Sequence, residues 1–179
     1  MKILVLVGSL RRDSLNKKLA QNLARLADGG ADFIFAGINL PLYNQDLEED
    51  DFPASAQKLK DQIEQADGIL IATPEYNRSI PGVLKNALDW TSRPAGENSW
   101  RNKPVAIVGA TPGLIGTAMA QTNLRLVLGF LGARIMSDPE LYLPGADKMF
   151  KADGQAIEEE IGHLTEYIVA VINFVKANK

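Results

Sequence analysis

Residues 2–27, KILVLVGSLRRDSLNKKLAQNLARLA, decide the fold class. Ile3 to Val7 is a continuous apolar run of strand length, and a run that does not alternate predicts a strand buried on both faces, as in a parallel sheet. Leu15, Leu19, Leu23 and Leu26 follow at helical spacing. Between strand and helix stand Gly8, Ser9, Arg11, Arg12, Asp13 and Ser14, a polar turn with two arginines. Backbone N–H groups at a helix start are unpaired and the helix dipole favours negative charge there, so the turn is suited to an anion such as a phosphate monoester. Ser9 and Ser14 can donate hydroxyls and Arg11 can fork onto two phosphate oxygens. The same residues also fit a plain N-cap by Asp13 or Ser14 with solvated arginines, and both readings stand at this point.

The unit repeats along the chain. Strand-length apolar runs recur at Phe33 to Ile38, Gly68 to Thr73, Val105 to Val108 and, more weakly, Ala133 to Met136. Helical stripes lie between and after them: Leu59, Ile63, Ala66; Leu84, Leu88, Thr91 behind Pro81; Leu124, Val127, Leu128, Leu131; and Ile157 through Val175. Five β-α units predict a doubly wound α/β sandwich, a parallel sheet with helices on both faces. No repeat, low-complexity tract or linker divides the chain, so residues 1–179 read as a single domain. The longest irregular segments are 40–53, LPLYNQDLEEDDFP, and 92–103, SRPAGENSWRNK. Long loops in a compact domain point to function or an interface. The acidic run Glu48 to Asp51 reads as a solvated face.

Composition narrows the chemistry. Hydrophobic residues make up 46% and charged residues 23%, and the net charge of −3 provides no general attraction to nucleic acid or anionic membrane. No stretch approaches the ~20 apolar residues of a membrane helix, and the first apolar run is too short for a signal peptide, so a soluble cytoplasmic protein is expected. Without cysteine there are no disulfides, thiolates or iron–sulfur clusters. With His163 as the one histidine, a zinc site or Ser-His pair has little to work with, and redox chemistry would need a borrowed cofactor.

In a parallel α/β sheet ligands sit beyond the carboxyl ends of the strands, which singles out the loops 8–16, 74–80 and 109–117. The second, within TPEYNRSIPGVLKNALDW (73–90), offers donors, acceptors and a flat ring between Pro74 and Pro81. The third, GATPGLIG (109–116), has three glycines that let a flat ligand approach the backbone, or that make only a tight turn. Neither G-x-x-x-x-G-K-[ST] nor G-x-G-x-x-G follows the first strand, so a monophosphate cofactor fits better than a dinucleotide.

Taken together, GSLRRDSLN (8–16), LPLYNQDLE (40–48), TPEYNRSIPGVLKNALDW and the glycine-bearing third loop resemble the NADPH-dependent FMN reductase family of flavodoxin-like proteins, in particular its quinone, chromate and azo-dye reductase branch. The resemblance spans nearly the whole chain in order. It implies a flavodoxin-like sheet of five parallel strands in the order 2-1-3-4-5 and a non-covalent FMN. On that resemblance Ser9, Arg11, Ser14 and Asn16 surround the phosphate, with a backbone amide from Leu15. Pro74, Glu75, Tyr76 and Asn77 line the ribityl chain and a ring edge, and Thr111 and Gly113 meet the ring from the third loop. The implied reaction is ping-pong transfer from NADPH or NADH to a small-molecule acceptor, with the flavin rather than a side chain carrying the chemistry and no metal involved. A homodimer or homotetramer is implied, with the 40–53 loop, Trp90, Arg93 and Trp100 as boundary candidates, although Trp90 also reads as helix packing. Arg78 reads either as an anion-attracting residue or as a surface arginine, and His163 as structural or exposed. Two neighbouring functions share the fold. One is a flavodoxin-type electron carrier, which usually surrounds its flavin with acidic groups; the other is an FMN reductase that releases reduced flavin to a partner monooxygenase. A flavin-free receiver domain is a poor match, because Gly8-Ser9 and Thr73-Pro74 stand where it needs acidic residues.

Overall fold

A computed structural model describes residues 1–179. Its elements run β1 (Lys2–Val7), α1 (Leu15–Leu26), β2 (Asp32–Phe35), α2 (Gln45–Asp50), α3 (Ala54–Gln65), β3 (Gly68–Ala72), α4 (Gly82–Thr91), β4 (Pro104–Ala110), α5 (Ala118–Phe130), β5 (Arg134–Ile135), β6 (Leu141–Leu143), a short 3₁₀ turn (Ala146–Lys148) and α6 (Glu158–Asn178). All pairings are parallel and the order is β2-β1-β3-β4-β5, with β6 also on β4. This is the flavodoxin-like order.

Strand alternation sorts the apolar residues into two cores. Ile3, Val5, Leu70, Ala72, Ala106 and Val108 face α1 and α6, meeting Leu19, Leu23, Ile168, Val171 and Val175. Leu4, Leu6, Ile69, Ile71, Val105 and Ile107 face α3, α4 and α5, meeting Leu59, Ile63, Leu84, Leu88, Leu124 and Leu128. Each fully buried Leu or Ile contributes roughly 1.5–3 kcal/mol relative to exposure, so both faces are strongly specified. Tyr167 is the polar exception on α6: its hydroxyl donates to the Ile107 carbonyl at 2.7 Å, and burial pushes its pKa up.

Three expectations change. Phe33 to Ile38 is not a strand buried on both faces: β2 stops at Phe35, has β1 as its one neighbour, and leaves Ile34 and Phe35 about 40% exposed. An edge lane cannot bury what a central lane buries. The fifth lane is two strands rather than one, β5 pairing with Pro104–Val105 and β6 with Val108–Ala110. Pro139 lies between them, and proline has no N–H for a ladder. The 40–53 segment contains α2, capped where the Asn44 side chain accepts from Asp46 N. Its acidic residues are mostly exposed, as a solvated face requires.

Candidate functional site

Three loops leave the carboxyl ends of β1, β3 and β4 at one level. Gly8 N–H bonds to Ala72 O, Thr73 N–H to Val108 O, and Thr111 N–H to Leu143 O, each carrying the ladder one residue past its strand. Gly109 sets the depth of the floor, because a Cβ there would collide with the Thr117 side chain and the Thr73 carbonyl.

In the first loop Ser14 is the N-cap of α1, its Oγ accepting from Lys17 N at 3.2 Å. Lys18 N–H bonds to Ser14 O, while the N–H groups of Leu15 and Asn16 have no protein partner. Ser9 Oγ accepts from Arg11 N at 3.3 Å, and Arg11 itself is exposed. Cap and anion site are therefore not rivals here. Ser14 satisfies one donor, and the two donors beside it stay open.

Asn16 is different from its expected placement. Its side chain is buried, donating to Ala110 O and accepting from Ala110 N, both at 2.9 Å. The carboxamide thus ties the first loop to the end of β4, and what Asn16 offers a ligand is its backbone N–H.

The second loop is a tight turn. Tyr76 and Ser79 exchange two backbone hydrogen bonds of 3.0 Å, and Asn77 (φ 51°) and Arg78 (φ 63°) occupy the left-handed region that a two-residue type I′ turn requires. Asn123 Nδ2 donates to Arg78 O, fastening the turn to α5. Glu75 is also reassigned. Its Oε2 accepts from Met119 N at 3.0 Å and Ala120 N at 3.2 Å, capping α5, whose N-cap Thr117 makes no side-chain cap. Oε1 lies 3.7 Å from Arg78 Nη1. The helix dipole favours a carboxylate there, so Glu75 serves as the cap of α5 while still lining the cleft.

The third loop folds onto the 3₁₀ turn through Ala146 N to Thr111 O and Gly145 N to Gly113 O, and Thr111 Oγ1 accepts from Gly113 N. Between the loops lies a cleft of about 240 Å³ lined by Ser9, Arg11, Ser14, Leu15, Asn16, Pro74, Glu75, Tyr76 and Thr111, together with Ala110 and Pro112. An adjoining hollow of about 410 Å³, reaching Leu10 and the start of α4 at Pro81 to Val83, shares Ser9, Arg11 and Tyr76 with it. That hollow alone lies within the roughly 300–1,000 Å³ of cofactor sites. Asn77 and Gly113 do not line either space: Asn77 is a turn residue, and Gly113 is held by its own loop. Ala110 and Pro112 went unnoticed because an apolar residue at a strand end carries no sequence signal of its own. The remaining expectations resolve outside the cleft. Trp90 and Trp100 are fully buried, and His163, on α6, lies with Nε2 2.9 Å from Glu160 Oε2.

The donor set at the start of α1 fits a phosphate: two open N–H groups, a hydroxyl and a guanidinium on a helix N-terminus. The wall of proline, tyrosine and backbone beside it fits a planar ring.

The chain matches the family model described as NADPH-dependent FMN reductase over residues 1–148. It is 53% identical over 161 residues to a 2-hydroxy-1,4-benzoquinone reductase from Burkholderia sp, covering 89% of this chain and 87% of the relative. A quinone reductase from Pseudomonas putida is 40% identical over 178 residues, covering 99% and 96%. Among solved structures, the flavoenzyme NAD(P)H:(acceptor) oxidoreductase FerB from Paracoccus denitrificans superimposes with a TM-score of 0.92 at 44% identity, covering 99% of this chain and 98% of that one.

Proposed function

The chain belongs to the NADPH-dependent FMN reductase family, and from that premise we propose that it is an FMN-dependent NAD(P)H:quinone oxidoreductase whose cofactor occupies the cleft of the three loops. The overall reaction is NAD(P)H + H⁺ + quinone → NAD(P)⁺ + hydroquinone. The observation that carries the reading is the pair of open N–H groups at Leu15 and Asn16 beside Ser9 and Arg11, at the foot of a cleft walled by Pro74, Tyr76, Thr111 and Pro112. Residues 1–179 act as one FMN-binding domain.

When bound, FMN supplies a hydride acceptor that returns two electrons to a second substrate. Everything else is the protein's work. Ser9, Arg11 and the N–H groups of Leu15 and Asn16 hold the phosphate dianion, and Ser14 keeps α1 capped while they do so. Asn16 and Glu75 are positioning residues: the first fixes the phosphate loop to β4, the second fixes the Tyr76 turn to α5. Pro74, Glu75 and Tyr76 form one wall, and Thr111 and Pro112 the other. The Thr111 hydroxyl hydrogen remains available to a ring acceptor. Preorganised walls of this kind raise rate by fixing approach geometry and excluding water. The Glu75 Oε2 atom is taken up by two N–H bonds as the cap of α5, and no cleft side chain need act as an acid or base.

An apolar band supports a second copy as partner. Leu114 and Ile115 at the third loop and Met119, Leu126 and Phe130 on α5 are exposed, the last three at a spacing that puts them on one helix face. Leu126 and Phe130 also border a hollow of about 400 Å³ against α4. The band begins at the cleft mouth, so a homodimer would cover the cofactor as well as the band. A cytoplasmic setting, where reduced nicotinamides are available, completes the reading; chromate and azo compounds would be incidental acceptors. The exposed mouth also suits release of reduced flavin, and retention of FMN through gel filtration separates the two. The direct test is anaerobic: NADPH or NADH should bleach the visible band of the FMN-loaded protein, and added quinone should restore it fully. Absence of bleaching by either donor overturns the reading.

A further inference from the structure

Arg78 is an arginine at a position that asks for something else. In a type I′ turn the second central residue is most often glycine, because only glycine enters the left-handed region without a Cβ penalty. Arg78 sits there at φ 63°. Nothing in the fold needs its side chain: the guanidinium makes no hydrogen bond, the side chain is 64% exposed, and the contact to α5 runs through the backbone carbonyl. Its one partner is Glu75 at 3.7 Å, whose other oxygen already caps α5. A residue held in an unfavoured conformation at a site, with no structural return, points to a role outside the folded chain. Asn123 and Glu75 fix the backbone of the turn to α5, and the Arg78 guanidinium lies 3.7 Å from Glu75, a residue of the cleft wall. Arg11 lines the cleft and its adjoining hollow with Tyr76, whereas Arg78 lines neither and stands at the rim as a second cation, in a chain whose net charge is −3.

We propose that Arg78 is a specificity-determining residue that favours electron acceptors carrying a negative charge, in the first instance hydroxyquinones. A 2-hydroxyquinone is a vinylogous carboxylic acid and is ionised at neutral pH. Its spread charge suits a planar guanidinium, which can pair with two oxygens at once. This rests on the quinone-reductase reading and deepens it. The phosphate of the nicotinamide donor is the other anion that could meet this arginine, so the test must separate donor from acceptor.

The experiment measures kcat/KM of the FMN-loaded protein for 1,4-benzoquinone and 2-hydroxy-1,4-benzoquinone, with NADH, which lacks the 2′-phosphate, as donor. Wild type is compared with Arg78→Gly, which suits the turn better than arginine, and with Arg78→Lys. The expected result is a loss of about fivefold for the hydroxyquinone in Arg78→Gly, with the neutral quinone unchanged and partial recovery in Arg78→Lys. Added salt should lower the hydroxyquinone value in wild type and not in Arg78→Gly. Equal changes for both quinones, or an effect that appears only when NADPH replaces NADH as donor, overturn the proposal while leaving quinone reduction intact. Failure of wild type to reduce either quinone contradicts the quinone-reductase reading itself, and this proposal falls with it.

Discussion

The two longest irregular segments and the three short loops divide the labour in the opposite way to their lengths. Segments 40–53 and 92–103 are full of polar groups, and apart from the solvated acidic run many of them are paired within the chain. Lys60 Nζ donates to Arg93 O and Glu97 O at 2.6 Å, Trp90 Nε1 to Pro41 O at 2.7 Å, Trp100 Nε1 to Thr91 Oγ1 at 2.8 Å, and Asn98 Nδ2 to Leu131 O at 2.7 Å. Tyr43 and Phe52 meet Trp90 edge-on at about 5 Å, and Arg93 lies over the Tyr43 ring. The short loops instead leave two N–H groups open and Arg11, Arg12 and Arg78 exposed. A loop whose donors and acceptors are all taken is part of the packing. A loop that keeps donors open at a helix start is a binding element.

That contrast can be broken from either side. Trp90→Ala should have the largest effect, a loss of ~3–5 kcal/mol in urea unfolding from the cavity and the lost Pro41 bond, with FMN affinity of the folded protein little changed. Arg11→Ala should do the reverse: stability within about 0.5 kcal/mol of wild type, FMN binding weaker by ~1.5–3 kcal/mol. Lys60→Met leaves two carbonyls without their donor and should cost about 1–3 kcal/mol in stability without touching FMN affinity. Lys60 also gives the contrast a pH signature. Burial holds its ammonium below the ordinary 10.5, so between the lowered value and 10.5 the unfolded chain binds more protons than the folded one. Stability should therefore gain from Lys60 as pH rises through that window and lose that gain as pH falls. Lys60→Met should flatten part of this slope, with Lys103, shifted the same way by burial, retaining the rest. The smallest effect belongs to Phe130→Glu, which should leave stability and FMN affinity near wild type and shift gel filtration toward a smaller species. An unchanged elution would remove α5 from the subunit contact.

The three loops of the cleft were legible because each follows a buried apolar run that ends in Gly8, Thr73-Pro74 or Gly109. A change from continuous apolar sequence to glycine, proline and hydroxyl residues is the local signature of a strand handing over to a loop. The strand order came from family resemblance, since periodicity alone does not say which strands are neighbours. β2 misled because Phe33 to Ile38 has the composition of a central strand, and exposure depends on lane, which the local sequence does not encode. α2 was hidden because QDLEED has no apolar stripe. The positioning bonds of the Asn16 and Glu75 side chains were not legible, because polar residues in a motif look alike before their partners are known. Those partners, Ala110 and the start of α5, lie 94 and about 44 residues away.

The central claim is that the short loops, and not the long ones, form the FMN cradle. It is tested most directly by titrating flavin-free protein with FMN, following flavin fluorescence, for wild type beside Arg11→Ala. Wild type should saturate at one FMN per chain, and the variant should bind at least about tenfold more weakly with the same unfolding midpoint. Equal affinities, or no saturable binding by wild type, would contradict the account.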